Sequence, residues 1–261
     1  METELLLKVE QLALKKRSLF KQNIWHSLAR SLLAGMFIGF GVIVSFKTGG
    51  YFYAAHSPFA YPAAALTFGV AIILISYGGG DLFTGNTFYY SYAAVRKKMK
   101  WRDTVKLWGL SYIGNFLGAI LFAALIWGTG LFADPDANRF FLEVADKKAH
   151  APALQLFFRA ILCNWLVCLA FFVPMGFKSD GAKMFTMMLF VFTFFISGYE
   201  HSIANMSTFS IALVLGYPGI SPGDVIHNLI PVTLGNLIGG SLLMAVMYGY
   251  ANKPYLKGDA L

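Results

Sequence analysis

Ser197-Gly198-Tyr199-Glu200-His201-Ser202-Ile203-Ala204-Asn205-Met206 decides how this chain is read. These residues lie inside an apolar segment running from Met184 to about Leu215. That segment is long enough to cross a bilayer, for which about 20 residues suffice. Yet it carries an acid, an imidazole and an amide near its middle. Hydrocarbon offers such groups no hydrogen-bond partner, so they cannot face it cheaply. Gly198 beside them predicts a helix that stops and restarts. Polar groups at a helix break in mid-membrane are how transporters build a substrate site. The plainer alternative is a polar kink that glues helices together. Against it stands a second interruption, Gly78-Gly79-Gly80-Asp81-Leu82-Phe83-Thr84-Gly85-Asn86, in the matching place of the first half.

Composition agrees with a membrane protein. Hydrophobic residues make up 57% and charged residues 13% of the 261 positions, and mean hydropathy is +0.60. Soluble domains carry about 25% charged residues. The apolar runs are continuous and do not alternate, which favours helices over a barrel. No small-residue cleavage site follows the N-terminus, so no secretory signal is expected. Residues 1–26 are charged and amphipathic, with Leu5, Leu6, Val9, Leu12 and Leu19, and predict a helix on the inner membrane surface. The net charge of +8 does not point to nucleic acid, because the basic residues cluster beside span ends. Cys163 and Cys168 share one apolar span and fit no metal or disulfide pattern, so no metal and no cofactor is expected.

The expected spans are about Ser27–Thr48, Pro62–Val95 with its break, Leu107–Phe132, Ala153–Gly176, Met184–Leu215 with its break, and Val225–Tyr250. Each half of the broken second span looks too short to cross alone. Asp134–Pro152 reads as a polar loop. The N-terminal stretch, residues 96–106, residues 177–183 and the tail 251–261 hold most Lys and Arg. The other loops hold only Lys47, Arg139, Lys147 and Lys148. The positive-inside rule then places both termini in the cytoplasm of a multi-pass protein in the cell membrane.

The two halves, 27–132 and 153–250, repeat. Arg30-Ser31-Leu32-Leu33-Ala34-Gly35 matches Arg159-Ala160-Ile161-Leu162-Cys163-Asn164. Asp81–Asn86 matches Glu200–Asn205, and Gly114-Asn115-x-x-Gly118 matches Gly235-Asn236-x-x-Gly239. Three spans per repeat is an odd number, so the second repeat must sit upside down relative to the first. The expected fold is therefore an all-α membrane protein of six transmembrane helices in two inverted repeats, the second and fifth broken.

Four stretches carry a family resemblance: Asp81-Leu82-Phe83-Thr84-Gly85-Asn86; Asn164-Trp165-Leu166-Val167-Cys168-Leu169-Ala170; Gly198–Met206; and Gly235-Asn236-Leu237-Ile238-Gly239-Gly240. In order and over every span from the second to the sixth, the chain resembles the formate/nitrite transporter family. The resemblance implies an aquaporin-like protomer with its own pore, a homopentamer, and no enzymatic activity. It implies passage of formate, nitrite, hydrosulfide, lactate or acetate, as small monovalent anions or as conjugate acids, with formate the first candidate. It makes His201 the central pore histidine and Thr84 its partner. It makes Leu82 and Phe83 the outer hydrophobic constriction, and Phe68 and Phe194 the inner one. Glu200, Asn164 and Asn205 would hold the fifth-span break, and Lys148 would be the outer-vestibule lysine.

On physical grounds, His201 could donate a hydrogen bond to an anion or give it a proton so that a neutral acid crosses. The broken helices add amide groups with a favourable dipole. Apolar rings would exclude hydrated ions by dewetting. An intramembrane enzyme is the rival class, but Glu200 and His201 are adjacent and no second His stands at i+4 to complete a metal pair. A water or glycerol channel would mark its half-helices with Asn-Pro-Ala, which is missing here. A purely structural membrane oligomer is the third reading.

Overall fold

Two apolar spans stop in mid-course because a glycine follows each with a left-handed backbone. Gly79 has φ +74° and Gly198 has φ +70°. A Cβ at either would be strained, so these positions favour glycine. The computed structural model describes residues 2–132 and 134–256, so Met1, Ala133 and residues 257–261 of the expected tail lie outside the described residues. Among the described residues the chain is helical, without strands.

In the first half, α1 (Glu2–Gln22) precedes α2 (Ile24–Ala54). The broken span follows as α3 (Ala60–Thr67), α4 (Val70–Gly78) and α5 (Phe83–Val95), and then comes α6 (Trp101–Gly128). In the second half, α7 (Arg139–Ala149) precedes α8 (Ala153–Phe172). The broken pair is α9 (Asp180–Ile196) and α10 (Ser202–Val214), followed by α11 (Pro222–Ile238), a π-helical stretch Gly239–Val246 and α12 (Met247–Ala251). Among the described residues five helical stretches are long and apolar enough to cross a membrane: Ile24–Ala54, Ala60–Gly78, Trp101–Gly128, Ala153–Gly176 and Pro222–Ala251. Ala60–Gly78 reaches that length by itself, against the expectation that each half of the second span is too short.

Three other expectations need correction. The loop at 134–152 contains α7, whose Phe140, Phe141, Leu142 and Ala145 are buried. Its apolar positions recur at helical spacing, a signal masked by the mixed charges around them. The second span is interrupted twice, because Phe68 and Gly69 separate α3 from α4 and Gly69 lies against Met188. Finally, α1 packs on the protein itself. Its Leu5, Leu6, Val9 and Ala13 are buried in a cluster with Phe88, Tyr92 and Phe172, and Arg17 pairs with Asp103 at 2.7 Å.

Within each repeat the first and third spans meet through small residues. A Cβ on Gly35 would strike the carbonyl of Asn115, and one on Gly118 the carbonyl of Leu32, so α2 and α6 touch backbone to backbone. In the second half Gly235 and Gly239, the counterparts of Gly114 and Gly118, sit against the carbonyls of Phe157 and Ile161 on α8. Close approach through glycine is how membrane helices gain packing energy.

One asparagine holds each break. Asn115 donates to the Ser31 and Asp81 carbonyls at 2.7 and 3.0 Å and accepts from the Phe83 amide at 2.9 Å. Asn236 donates to the Ala160 and Glu200 carbonyls at 2.8 and 3.0 Å and accepts from the Ser202 amide at 2.8 Å. The two sets correspond residue for residue under the repeat. The Asp81 amide also donates to the Arg30 carbonyl at 2.9 Å, and the Glu200 amide to the Arg159 carbonyl at 3.4 Å. We predict that Asn236→Ala leaves a buried amide and a buried carbonyl unpaired, at about 1–3 kcal/mol each. Thermal unfolding in detergent should show a lower midpoint, and an unchanged midpoint would refute the clamp.

Candidate functional site

The N-cap positions of α5 and α10 are Leu82 and His201, both with extended backbone. They are equivalent under the repeat, and each follows its break. The amide-rich starts of two helices therefore come together inside the bundle, where partial positive charge gathers.

Three cavities run in line past these positions. The first, about 630 Å³, lies on the α1 side and is lined by Lys15, Lys16, Arg30, Ile75 and Leu82 among others. The second, about 20 Å³, shares Ile75 and Leu82 with the first and adds Ile72, Val167, Phe68, Phe194 and His201. The third, also about 20 Å³, shares Phe68, Phe194 and His201 with the second and reaches Tyr61, Asn205 and Lys148 on the α7 side. A cavity of that size holds about one water. Leu82 and Ile75 therefore mark one narrowing and Phe68 with Phe194 the other. The two phenylalanine rings meet edge to face at 6.1 Å between centroids, and Phe194 stacks on His201 at 6.0 Å.

His201 sits between the narrowings, buried. Its Nδ1 accepts the Ala204 amide at 3.0 Å, which caps α10. That bond uses the Nδ1 lone pair, so the ring proton of the neutral imidazole is on Nε2, which lies 2.8 Å from the Thr84 hydroxyl. Nε2 donates and Thr84 Oγ1 accepts. The hydroxyl hydrogen of Thr84 then has no protein acceptor among the described residues. Placing a second proton on the ring, at Nδ1, requires breaking the cap.

Glu200 Oε2 accepts from Lys148 Nζ at 3.0 Å and from Asn205 Nδ2 at 2.7 Å. Asn205 Nδ2 also donates to Asn228 Oδ1 at 2.8 Å, and Asn228 donates to the Lys148 carbonyl at 2.8 Å. Burial alone would pull the pKa of Lys148 down. The carboxylate of Glu200 outweighs that and holds the ammonium above the usual lysine value. Asn205 Oδ1 is buried without a partner among the described residues.

The first break carries the same arrangement, which the sequence reading did not find. Asp81 Oδ1 accepts from Lys16 Nζ at 2.7 Å and from Asn86 Nδ2 at 2.7 Å. Lys16 comes from α1 as Lys148 comes from α7. The signal was present in the Asp81–Glu200 and Asn86–Asn205 match, which called for a second lysine. Ile75 and Asn228 were also missed, because nothing local sets them apart from other span residues.

Three expected roles change. Phe83 lines none of the three cavities. It packs edge to face on Tyr112 at 5.0 Å, because residues 82 and 83 point to different sides of the helix start. Asn164 bonds no residue of 197–206 directly and reaches the fifth-span break only through Asn236. It donates to Thr87 Oγ1 at 2.8 Å, to the Asn236 carbonyl at 2.5 Å and to the Thr84 carbonyl at 3.3 Å, so it ties α8 to α5 and to α11. Leu82 and Lys148, both expected on the outer side, lie on opposite sides of His201. Phe68 and Phe194 lie toward Lys148, the residue expected at the outer mouth, and Leu82 lies toward α1.

Opposed helix breaks, an apolar waist and a line of cavities define a membrane channel or transporter built from inverted repeats. Residues 3–250 match the family described as Formate/nitrite transporter, and the chain belongs to that family. It is 59% identical to the uncharacterized transporter YwcJ of Bacillus subtilis (strain 168), over 95% of this chain and 97% of that one. It is 35% identical to the nitrite transporter NirC of Escherichia coli (strain K12), over 85% and 81% of the two chains. Among solved structures, an FNT family ion channel superposes with a TM-score of 0.89 at 31% identity, over 95% of this chain and 99% of that one. A pentameric formate channel with formate bound gives 0.76 at 27% identity, over 91% and 99%. The family and these structures are transporters and channels, not enzymes.

Lys148→Met should destabilise the protein by about 3–5 kcal/mol, because it leaves a buried carboxylate uncompensated. Adding Glu200→Gln to that variant should recover part of the loss. Strict additivity in this double-mutant cycle, read from unfolding midpoints, would show that the two charges do not interact.

Proposed function

We propose that this protein conducts small monovalent anions of weak acids across the cell membrane, with formate the first candidate and His201 able to couple passage to a proton. The observation that carries this reading is the run of cavities past His201 and Thr84, narrowed on each side by apolar residues. The waist admits a guest of about water size and sheds its hydration shell. There the hydroxyl hydrogen of Thr84 and the starts of α5 and α10 offer donors to an anion, and the Nε2–H of His201 joins them when it leaves Thr84. The unpaired Asn205 Oδ1 offers an acceptor to an acid proton. A bare carboxylate pays a steep desolvation cost at such a waist, so crossing as the neutral acid is physically natural.

In this reading Lys148, held by Glu200, marks the outer mouth, and both termini face the cytoplasm. Phe68 with Phe194 forms the outer ring, and Leu82 with Ile75 the inner one. The protomers assemble as a homopentamer in the lipid. Each encloses its own conduit, as the cavities run within one chain. Nitrite is the second reading, favoured by the 35% identity to NirC.

Counter-flow in proteoliposomes against formate, nitrite, hydrosulfide, acetate and lactate tests the proposal. Formate should enter fastest, and faster still with an inward proton gradient. His201→Ala should slow it by roughly 100-fold, the low end for a lost proton donor. Uptake indifferent to the gradient would remove the coupling, and uptake of none of the panel would remove the function. Leu82→Ala and Phe68→Ala should raise lactate entry relative to formate. Phe83→Leu should leave that ratio alone.

A further inference from the structure

The densest charge in the chain lies away from the conduit. Arg96, Lys97, Lys98, Lys100, Arg102 and Lys106 join α5 to α6 or begin it, with Asp103 the one acid among them. Lys97 has φ +59° and turns the chain sharply. Lys97, Lys98 and Lys100 then line one cavity of about 680 Å³, with Arg17 from α1 and Trp101 at its lip. Arg17 is committed to Asp103. Lys97 and Lys100 form no ion pair among the described residues.

The same place opens on the start of α6. Lys100 is its N-cap and provides no side-chain cap; the Asp103 amide turns back to the Lys100 carbonyl, which leaves the Trp101 and Arg102 amides beside these ammonium groups. From the cavity an apolar track leads along α6. Trp101, Val105, Ile113, Leu117 and Ile120 are all exposed and recur at helical spacing on one side.

We propose that this cavity binds the phosphate headgroup of an anionic phospholipid, whose acyl chains lie along that track. Charge complementarity selects the head, since basic clusters next to a span attract anionic lipid. The apolar track selects a lipid over a soluble phosphate, which has no use for it. Trp101 stands where indole rings favour the membrane–water boundary.

Native mass spectrometry of the full-length protein, titrated with phosphatidylglycerol or phosphatidylcholine, reads the outcome. Phosphatidylglycerol should be retained in preference. Each neutralised lysine should weaken retention by roughly five-fold, so Lys97→Gln with Lys100→Gln should cost roughly 25-fold. A control pair outside the cavity, Lys178→Gln with Lys253→Gln, should change it little. Formate counter-flow by the same variants confirms that they fold. Equal retention of the two lipids, or equal loss from the control pair, overturns the site. Displacement of the lipid by an equimolar amount of inorganic phosphate would make it a free phosphate site. A change in oligomer mass without a change in lipid retention would assign the track to a second copy of the chain.

Discussion

Backbone amides and carbonyls freed in mid-membrane must find partners inside the protein, because lipid has none to give. Here two asparagine side chains provide them. Asn115 and Asn236 each bridge two carbonyls and one amide, and so turn a broken helix into a fixed bend. Everything at the waist is positioned from those bends. They set where α5 and α10 begin, and therefore where Leu82 and His201 stand. The glycine contacts between α2 and α6, and between α8 and α11, bring the asparagines close enough to reach.

The inverted repeat is symmetric in its scaffold and asymmetric in its chemistry. Asp81, Asn86 and Lys16 mirror Glu200, Asn205 and Lys148 in that each carboxylate accepts from one lysine and one asparagine. Lys16 also donates to Asn86 Oδ1, while Asn205 Oδ1 is left without a partner among the described residues. At the two N-caps the mirror fails, with leucine in one half and histidine in the other. A single imidazole thus faces a conduit that two equivalent helix starts create. Thr84, from the half that lacks the histidine, supplies its partner. The two halves contribute one hydrogen-bonded pair between them.

Much of this was legible in the sequence, because its strongest signals were costs. Polar residues and glycines inside apolar runs are expensive unless the fold uses them, so both breaks could be read directly. The repeat could be read because Gly-Asn-x-x-Gly recurs in the same order relative to each break. What could not be read depended on direction. Phe83 and Leu82 are neighbours of similar character, and only the backbone turn at the break decides which one meets the cavities. Lys16 sits in an unremarkable amphipathic stretch, and its role emerges only when α1 folds over α5. Asn164 matched the family motif, but the elements it ties to α8 are α5 and α11. The placement of Leu82 and Lys148 on opposite sides of His201 has the same origin, since the side on which a residue lies follows from tertiary placement.

Two half-buried lysines are each matched by a buried carboxylate at hydrogen-bonding distance, Lys16 by Asp81 and Lys148 by Glu200. The ammonium groups of Lys16 and Lys148 are thus each held beside a carboxylate and not left as lone charges. A lone ammonium in so dry a place would act as a trap and lengthen residence time. Neutralised pairs flatten the energy profile instead, and throughput depends on a guest leaving as readily as it arrives.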